Sequence, residues 1–127
     1  MKIGLIGLGG FGGNAKIKAW KRVCEQESHE LYIYDSSLDR MNQVGDQHQI
    51  PIYRRLPSTG DLILIVDAVD ITTSAESHFE IAMHALSEGK HVFVEKPMTS
   101  SLREAELLKN KVEETGLVLQ VGMHFRY

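Results

Sequence analysis

The sequence has one cysteine, no long apolar run and no block of charge of one sign. The single thiol, Cys24, excludes a disulfide within the chain. The longest apolar run, at residues 62–66, falls far short of the roughly 20 residues that cross a bilayer. The first apolar run, at residues 3–8, resembles a short strand and not the hydrophobic region of a signal peptide. These absences predict a cytoplasmic protein that is not integral to a membrane.

The charges are balanced and spread along the chain. The 127 residues include 14 basic and 17 acidic side chains, which gives a formal net charge of -3. One cluster is basic and consists of Lys16, Lys18, Lys21 and Arg22. It fits a solvated helix face better than a phosphate-binding patch, so no nucleic-acid surface is predicted. With 43% hydrophobic residues, the chain has the composition of one soluble globular domain.

Apolar runs rich in Val, Ile and Leu alternate with segments of helical period. Strands are predicted at residues 2–6, 30–34, 68–72, 91–95 and 117–121, with a brief edge strand at residues 50–53. Helices are predicted from residue 10 to about 25, from 38 to about 45, along the apolar face of Phe79, Ala82, Met83 and Leu86, and from a capping box at residues 101–104 to Gly116. Residues 62–71 are compatible with a helical turn followed by a strand or with one long strand. Strands separated by such helices pair in parallel, which predicts the α/β class with a doubly wound parallel sheet.

A glycine-rich turn follows the first predicted strand. The residues Gly7, Leu8, Gly9, Gly10, Phe11 and Gly12 match the pattern G-x-G-x-x-G. In that pattern the first glycine makes a tight turn, the second lets backbone approach a pyrophosphate, and the third lets helix and strand pack closely. The following helix start offers unpaired N–H groups to phosphates. Glycine turns also arise for structural reasons alone, but this position between strand and helix favours a Rossmann dinucleotide-binding fold.

Asp35 stands at the end of the second predicted strand, roughly 20 residues after the glycine turn, where an acidic side chain takes the hydroxyls of the adenosine ribose. Ser36 is assigned to the same cofactor site. The alternative is that Asp35 only begins a turn with Ser36 and Ser37. A carboxylate here repels a 2'-phosphate, so NAD is the expected cofactor, while the nearby Arg40 leaves NADP open.

From Met1 to Tyr127 the sequence resembles the N-terminal domain of the Gfo/Idh/MocA oxidoreductases, the glucose-fructose oxidoreductase and inositol dehydrogenase family. Besides the glycine turn, the resemblance rests on Val69-Asp70-Ile71-Thr72-Thr73 leading to His78, and on a run from Ala85 that ends in Glu95-Lys96-Pro97. Glu-Lys-Pro after a strand is the family's most distinctive mark. The resemblance implies an NAD(P)-binding Rossmann domain over residues 1–127. Residues 122–127 resemble the hinge strand that leads to the family's C-terminal substrate domain, and the resemblance implies that these 127 residues are the cofactor-binding part alone.

The resemblance also implies that Lys96 is the catalytic residue, which contacts the cofactor and helps to position or protonate the reacting group. Its place after a strand in the second half of the sheet fits this role, because doubly wound folds bind ligands at the carboxyl edge. Glu95 is expected to orient the Lys96 ammonium. Pro97 is expected to fix the turn that follows, for which a cis bond is one option.

The predicted loop from Thr72 to His78 resembles the family segment that lies along the dinucleotide near its nicotinamide half. Ser74 stands where a proline is usual, which leaves the path of the loop open. The hydroxyls of Thr72, Thr73 and Ser74 suit ribose and phosphate. His78 either contacts the cofactor or caps the next helix. No zinc-ligand spacing occurs in the sequence, so no metal is predicted.

The first functional hypothesis is that the parent protein transfers hydride between NAD and the hydroxyl carbon of a sugar, polyol or amino sugar. The alternative is a non-catalytic dinucleotide-binding or sensing module, since some members of the family act as regulators. Retention of Glu95-Lys96-Pro97 favours the enzyme. The isolated domain is expected to bind dinucleotide without turnover. Apolar surface around the last strand predicts a homo-oligomer, and His124 and Arg126 are expected near the substrate.

Overall fold

The structure is a computed structural model that describes residues 1–123. Its strands are β1 Lys2–Ile6, β2 Glu30–Tyr34, β3 Ala68–Ile71, β4 His91–Glu95 and β5 Leu119–Gly122. Its α-helices are α1 Ile17–Glu27, α2 Leu38–Gln47, α3 Thr59–Ile65, α4 Ala75–Ser87 and α5 Leu102–Thr115. A π-helical segment, Gly12–Lys16, precedes α1, and a 3-10 helix covers Ile52–Arg54. In these 123 residues, no helix combines the length and the apolar character needed to cross a membrane. Most of the predicted hinge strand at residues 122–127, including His124 and Arg126, lies outside the described residues.

The five strands form one parallel sheet in the order β2-β1-β3-β4-β5. The chain starts in the middle of the sheet with β1, adds β2 on one side, and then crosses to the other side of β1 for β3. The direction in which strands are added therefore reverses between β1 and β3. Doubly wound sheets bind ligands at the carboxyl edge beside such a reversal. The prediction of a doubly wound parallel sheet is confirmed.

Helices cover both faces of the sheet and bury two apolar cores. Successive strand residues point to opposite faces, so the neighbours Leu5 and Ile6 are both fully buried but belong to different cores. Leu5 packs with Ile17 of α1 on one face. Ile6 packs with Leu86 of α4 and Leu108 of α5 on the other. Each such side chain contributes about 2 kcal/mol by leaving water, so these contacts fix β1 at the centre of the fold.

Residues 50–53 do not form the predicted edge strand, and that prediction is wrong. They pass through Pro51 into the 3-10 helix Ile52–Arg54, and the side chains of Ile52 and Tyr53 are 79% and 70% exposed. Within the described part of the chain, the segment after the 3-10 helix touches the sheet at one isolated bridge, between Arg55 and Ile33 of β2. Apolar composition suggested a strand here, but Pro51 has no N–H to donate to a ladder.

The ambiguous segment at residues 62–71 contains the end of a helix followed by a strand. Ser58 begins α3, because its hydroxyl accepts a hydrogen bond from the N–H of Asp61 at 3.0 Å. Leu62 and Ile63 are fully buried, whereas Leu64 is 61% exposed. A helix that packs one face against the core buries some of its apolar side chains and exposes others, as α3 does here. The chain then leaves α3 and enters β3.

Candidate functional site

Two cavities lie side by side at the carboxyl edge of the sheet. The first, the β2-side cavity, has a volume of about 440 Å³ and is lined in part by Gly7, Gly9, Asp35, Ser36, Thr72, Thr73 and Ser74. The second, the β4-side cavity, has a volume of about 310 Å³ and is lined by Phe11, Thr72, Thr73, Glu95 and Lys96. The two cavities share Thr72 and Thr73 at the end of β3. Together they form a cleft that runs from β2 across β1 and β3 to β4.

The glycines of the turn after β1 have two different environments. Gly7 has a φ of +93°, and a Cβ at this position would lie 2.8 Å from the backbone N of Thr73. A Cβ on Gly12 would overlap the carbonyl oxygen of Gly7 and the hydroxyl of Thr72. Gly9 and Gly10 have no such neighbour within 4 Å. Packing therefore requires the first and third glycines of the motif, while the second leaves backbone open to a ligand.

Asp35 is built into the turn as a buried hydrogen-bond acceptor. Its side chain is only 4% exposed and accepts hydrogen bonds from the N–H of Leu8 at 2.7 Å and the N–H of Ser37 at 2.8 Å. The half-exposed guanidinium of Arg40 lies 3.3 Å from the same carboxylate. The turn predicted as the alternative role of Asp35 is therefore present, although Asp35 and Ser36 also line the β2-side cavity. The Leu8 side chain is buried, and its N–H supports Asp35.

The loop after β3 separates the two cavities and is tied to the glycine turn. The hydroxyl of Thr72 donates to the carbonyl oxygen of Gly7 at 2.6 Å. The hydroxyl of Ser77 donates to that of Thr73 at 2.7 Å. Ser74 is the N-terminal cap residue of α4, but its side chain makes no capping hydrogen bond within the described residues. The loop therefore presents small polar groups along the middle of the cleft.

His78 lies behind the cleft, and the contact between its side chain and the cofactor stays a prediction. It is 1% exposed and lines neither cavity. Its Nδ1 lies 2.7 Å from the carbonyl oxygen of Pro97, and its Nε2 lies 3.1 Å from that of Thr73. It does not cap α4, whose N-terminal cap residue is Ser74. The imidazole instead joins the loop after β3 to the loop after β4.

Lys96 and Glu95 point to different surroundings at the end of β4. Lys96 is exposed, lines the β4-side cavity and makes no hydrogen bond or ion pair with another residue in the range 1–123. The Glu95 carboxylate lies 3.0 Å from the Nζ of Lys16. The prediction that Glu95 orients Lys96 is wrong in this structure, because successive side chains at a strand end diverge. The peptide bond between Lys96 and Pro97 is cis.

A buried group of polar side chains beneath the β4-side cavity was missed by sequence reasoning. Asp70, with no exposed side-chain surface, accepts a hydrogen bond from Trp20 Nε1 at 2.6 Å and pairs with Lys16 at 3.2 Å. Its Oδ1 is buried without a hydrogen-bond partner among the described residues. Burial raises the pKa of the Asp70 carboxyl above its ordinary 3.8, and the Lys16 ammonium opposes this effect. The Lys16 ammonium also lies 3.7 Å from the centre of the Phe93 ring.

The prediction that Lys16 belongs to a solvated basic face is therefore wrong. Its side chain is 15% exposed and lies between two carboxylates. The signal that could have found it is Asp70, a carboxylate inside an otherwise apolar strand. A charge at such a position needs a buried partner of opposite sign.

The parallel sheet with its reversal between β1 and β3, the glycine turn and the acid after β2 define a dinucleotide-binding domain of the Rossmann type. A sequence model of the Gfo/Idh/MocA family, described as an oxidoreductase family with an NAD-binding Rossmann fold, matches residues 1–123. The chain belongs to this family, and its domain is the family's NAD-binding Rossmann fold.

Individual relatives agree with this assignment. The chain is 33% identical over 122 residues to the UDP-N-acetylglucosamine 3-dehydrogenase of Acidithiobacillus ferrooxidans, a match that covers 96% of this chain and 36% of that protein. It is 44% identical over 62 residues to the NAD(+)-dependent scyllo-inositol 2-dehydrogenase of Bacillus subtilis, covering 49% of this chain and 18% of that protein. An oxidoreductase from Agrobacterium radiobacter, solved in complex with NAD+, L-tartaric acid and magnesium, has a TM-score of 0.87 and 31% identity, covering 99% of this chain and 36% of its own. The chain thus spans a little more than a third of the length of the relatives that it matches along nearly its whole length.

Proposed function

We propose that this chain is the cofactor-binding part of an NAD-dependent oxidoreductase that acts on a hydroxyl carbon of a sugar, polyol or amino sugar. The observation that carries the proposal is the cleft itself. An open glycine backbone lies in its middle, a buried carboxylate at its β2 end and an unpaired ammonium, among residues 1–123, at its β4 end. These three groups fit the pyrophosphate, the adenosine ribose and the reacting end of a dinucleotide, in that order.

Each part of NAD can be assigned to particular residues of the cleft. Asp35 and Ser36 hold the hydroxyls of the adenosine ribose, for which Asp35 Oδ2 has only one other donor among the described residues. The backbone from Gly9 to Phe11 receives the pyrophosphate, because no side chain or neighbouring loop blocks Gly9 and Gly10. Thr72, Thr73 and Ser74 line the path between the cavities. The bound NAD supplies a nicotinamide carbon that accepts or donates hydride.

Lys96 is the residue of this chain that moves a proton. Its ammonium extends from the end of β4 into the β4-side cavity, away from the charges that hold Glu95. An amine placed at a substrate hydroxyl can hold the hydroxyl in position and take up or return its proton. Glu95 and Pro97 shape the strand end from which the ammonium extends.

The substrate class follows from relatives that carry a matching domain. Their names specify dehydrogenases of UDP-N-acetylglucosamine, scyllo-inositol and glucose 6-phosphate, all of which carry a ring hydroxyl. In this proposal residues 122–127 lead into a second domain that binds the substrate. The oligomeric state of the whole protein stays a prediction.

NAD is the preferred cofactor in this proposal because the Asp35 carboxylate lies at the β2 end of the cleft, where a 2'-phosphate would be repelled. Arg40, half exposed beside it, offsets part of this repulsion and allows weaker binding of NADP. Relatives named for each cofactor occur among the inositol dehydrogenases of Bacillus subtilis.

The proposal is tested by calorimetric titration of this chain with NAD and with NADP. We expect NAD to bind more tightly. Gly9→Ala places a methyl group on the open backbone and should lower the NAD affinity by about tenfold or more, while the melting temperature changes little. Gly60→Ala in α3, where a Cβ meets only ordinary contacts, is the matched control. Failure of the folded chain to bind either dinucleotide would contradict the cofactor assignment.

The enzymatic role is tested in the whole protein by Lys96→Ala. Loss of a positioned acid or base lowers turnover by about 10²- to 10⁴-fold, and the exposed site should leave the melting temperature unchanged. Normal turnover of the variant on a sugar or polyol would remove Lys96 from the mechanism. Binding of NAD without turnover of any such compound by the unaltered protein would favour the sensing module.

A further inference from the structure

Lys16, Asp70 and Glu95 form one charged cluster under the β4-side cavity. Lys16 lies 3.2 Å from Asp70 and 3.0 Å from Glu95, and the three side chains are 15%, 0% and 14% exposed. Trp20 donates to Asp70, and the Phe93 ring lies against the Lys16 ammonium. Two carboxylates therefore share one ammonium in a region with little access to water, where such contacts are strong.

The cluster connects three elements that line the cleft. Lys16 is the last residue of the π-helical segment that begins at Gly12 of the glycine turn. Asp70 belongs to β3, two residues before Thr72, and Glu95 ends β4 beside Lys96. A displacement of Lys16 would consequently move or release contacts at the ends of both β3 and β4, which line the β4-side cavity.

Glu95 is the member of the cluster that reaches the cavity. Its nearest cation among the described residues is Lys16, and Lys16 is held in turn by the fully buried Asp70. Without Lys16, the Glu95 carboxylate would have no opposite charge in the cluster and would turn toward water. The strand end that carries Lys96 would then lose a fixed neighbour.

We infer that Lys16 and Asp70 are positioning residues for the nicotinamide half of the dinucleotide: they fix Glu95 in the wall of the β4-side cavity and so define the subsite from which Lys96 acts. This inference rests on the proposed function, since it assigns the nicotinamide to that cavity. Neither residue contacts the adenosine half of the cleft. Their loss should therefore affect only one half of the ligand.

The test compares NAD with ADP-ribose, which has the same adenosine, pyrophosphate and second ribose but no nicotinamide. The quantity of interest is the dissociation constant of ADP-ribose divided by that of NAD, measured by calorimetry on this chain. Lys16→Met removes the shared ammonium, and Lys16→Arg retains a positive charge. Lys18→Met, an exposed lysine two residues away, is the matched control.

We expect the ratio to exceed one in the unaltered chain and in Lys18→Met. In Lys16→Met it should fall by at least about fivefold, the size of one ordinary hydrogen bond, because the Glu95 wall is no longer fixed. The ADP-ribose affinity should be preserved. Lys16→Arg should restore most of the ratio. If Lys16→Met lowers the melting temperature too far for titration, Glu95→Gln makes the same comparison at the cavity wall and should lower the ratio in the same way.

Three results would each overturn the inference. The first is an equal loss of NAD and ADP-ribose binding in Lys16→Met, which indicates a structural role only. The second is an unchanged ratio in both Lys16→Met and Glu95→Gln, and the third is a ratio near one in the unaltered chain. In each case NAD binding by the unaltered chain would leave the proposed function standing. Failure of the proposed function is seen separately, as absence of binding by both ligands.

Discussion

The two buried carboxylates on either side of β1 are held in opposite ways. Asp35, which follows β2, accepts hydrogen bonds from two backbone N–H groups and faces one half-exposed guanidinium. Asp70, within β3, has one Trp N–H and one buried ammonium, and its Oδ1 has no partner among residues 1–123. Backbone groups hold the first carboxylate, and side chains from distant segments hold the second.

This difference separates what is fixed by the local chain from what depends on the assembled fold. The N–H groups around Asp35 are present wherever the turn forms, so the carboxylate is satisfied as soon as β1 and β2 pair. Asp70 gains its two partners only when the segment from Lys16 to Trp20 packs on the sheet, and its Oδ1 still has no partner among residues 1–123. We therefore expect the β2 end of the cleft to be the more robust and the β4 end the more sensitive to pH.

The largest effect on stability is expected from Asp35→Ala. The buried N–H of Leu8 would lose its acceptor and the turn at Ser37 its anchor. The free energy of unfolding should fall by about 2–4 kcal/mol, and NAD binding should be lost with it. Urea unfolding measures the free energy of unfolding, and calorimetry measures the affinity for NAD.

Asp39→Ala is the control for this change, because Asp39 is exposed in the first turn of α2. Only the small effect of a helix-end charge, about 0.5 kcal/mol, is expected there. Equal stability losses in the two variants would show that the backbone hydrogen bonds of Asp35 contribute little, and the comparison between the two carboxylates would then fail.

A smaller effect, with a distinctive pH dependence, is expected from Asp70→Asn. Burial raises the pKa of Asp70 in the folded state, so the folded protein favours the protonated carboxyl. Its contribution to stability is fully present below the ordinary pKa of 3.8 and is lost as the pH rises through the raised value. At pH 7 the asparagine variant should lie within about 1 kcal/mol of the unaltered protein, because the amide oxygen can still accept from Trp20 and Lys16 keeps Glu95 as its partner.

Urea unfolding between pH 7 and pH 4 measures the difference in the free energy of unfolding between the unaltered protein and Asp70→Asn. The unaltered protein should gain stability relative to Asp70→Asn as the pH falls. His48, whose pKa is lowered by burial and by the charges of Lys21 and Lys18, titrates in both proteins and cancels in the difference. Parallel curves for the two proteins would show that Asp70 is as well satisfied as Asp35.

The smallest effect is expected from Arg40→Ala. Its guanidinium is half exposed, so the ion pair with Asp35 contributes at most about 0.5 kcal/mol. The affinity for NADP should fall a few-fold relative to that for NAD, because Arg40 is the cation beside Asp35 in the β2-side cavity. Arg103→Ala, an exposed arginine on α5, controls for net charge. A change in NADP affinity equal to that of the control would remove Arg40 from cofactor selection.

Sequence patterns predicted most of the fold because the strands are short apolar runs buried on both faces. The bounds of β1, β2 and β4 match the prediction residue for residue, and the glycines at positions 89 and 116 have the positive φ expected after a helix. The glycine turn and Asp35 were found because their chemistry is local. Each depends on a strand end and a few neighbouring residues.

The rest of the site depends on contacts that no local pattern encodes. The pairing of Lys16 with Asp70 requires α1 to dock on the sheet, and a lysine in a basic helix gives no sign of it. His78 joins two loops through backbone carbonyls whose positions follow from the paths of both loops. The strand predicted at residues 50–53 is instead a 3-10 helix after Pro51, because apolar composition alone does not determine whether a segment pairs with the sheet.

The π-helical segment Gly12–Lys16 runs directly into α1, so its number of residues and its winding together determine which side of α1 faces the sheet. A π turn holds one residue more than an α turn, and each residue of an α-helix turns the chain by about 100°. Deletion of one residue here would let the segment wind as an ordinary α-helix and would leave Ile17, Trp20 and Cys24 close to their present orientation, because a π turn less one residue is an α turn. An insertion of one residue in α1 itself has no such compensation and should rotate the apolar face of the helix away from the sheet by about 100°.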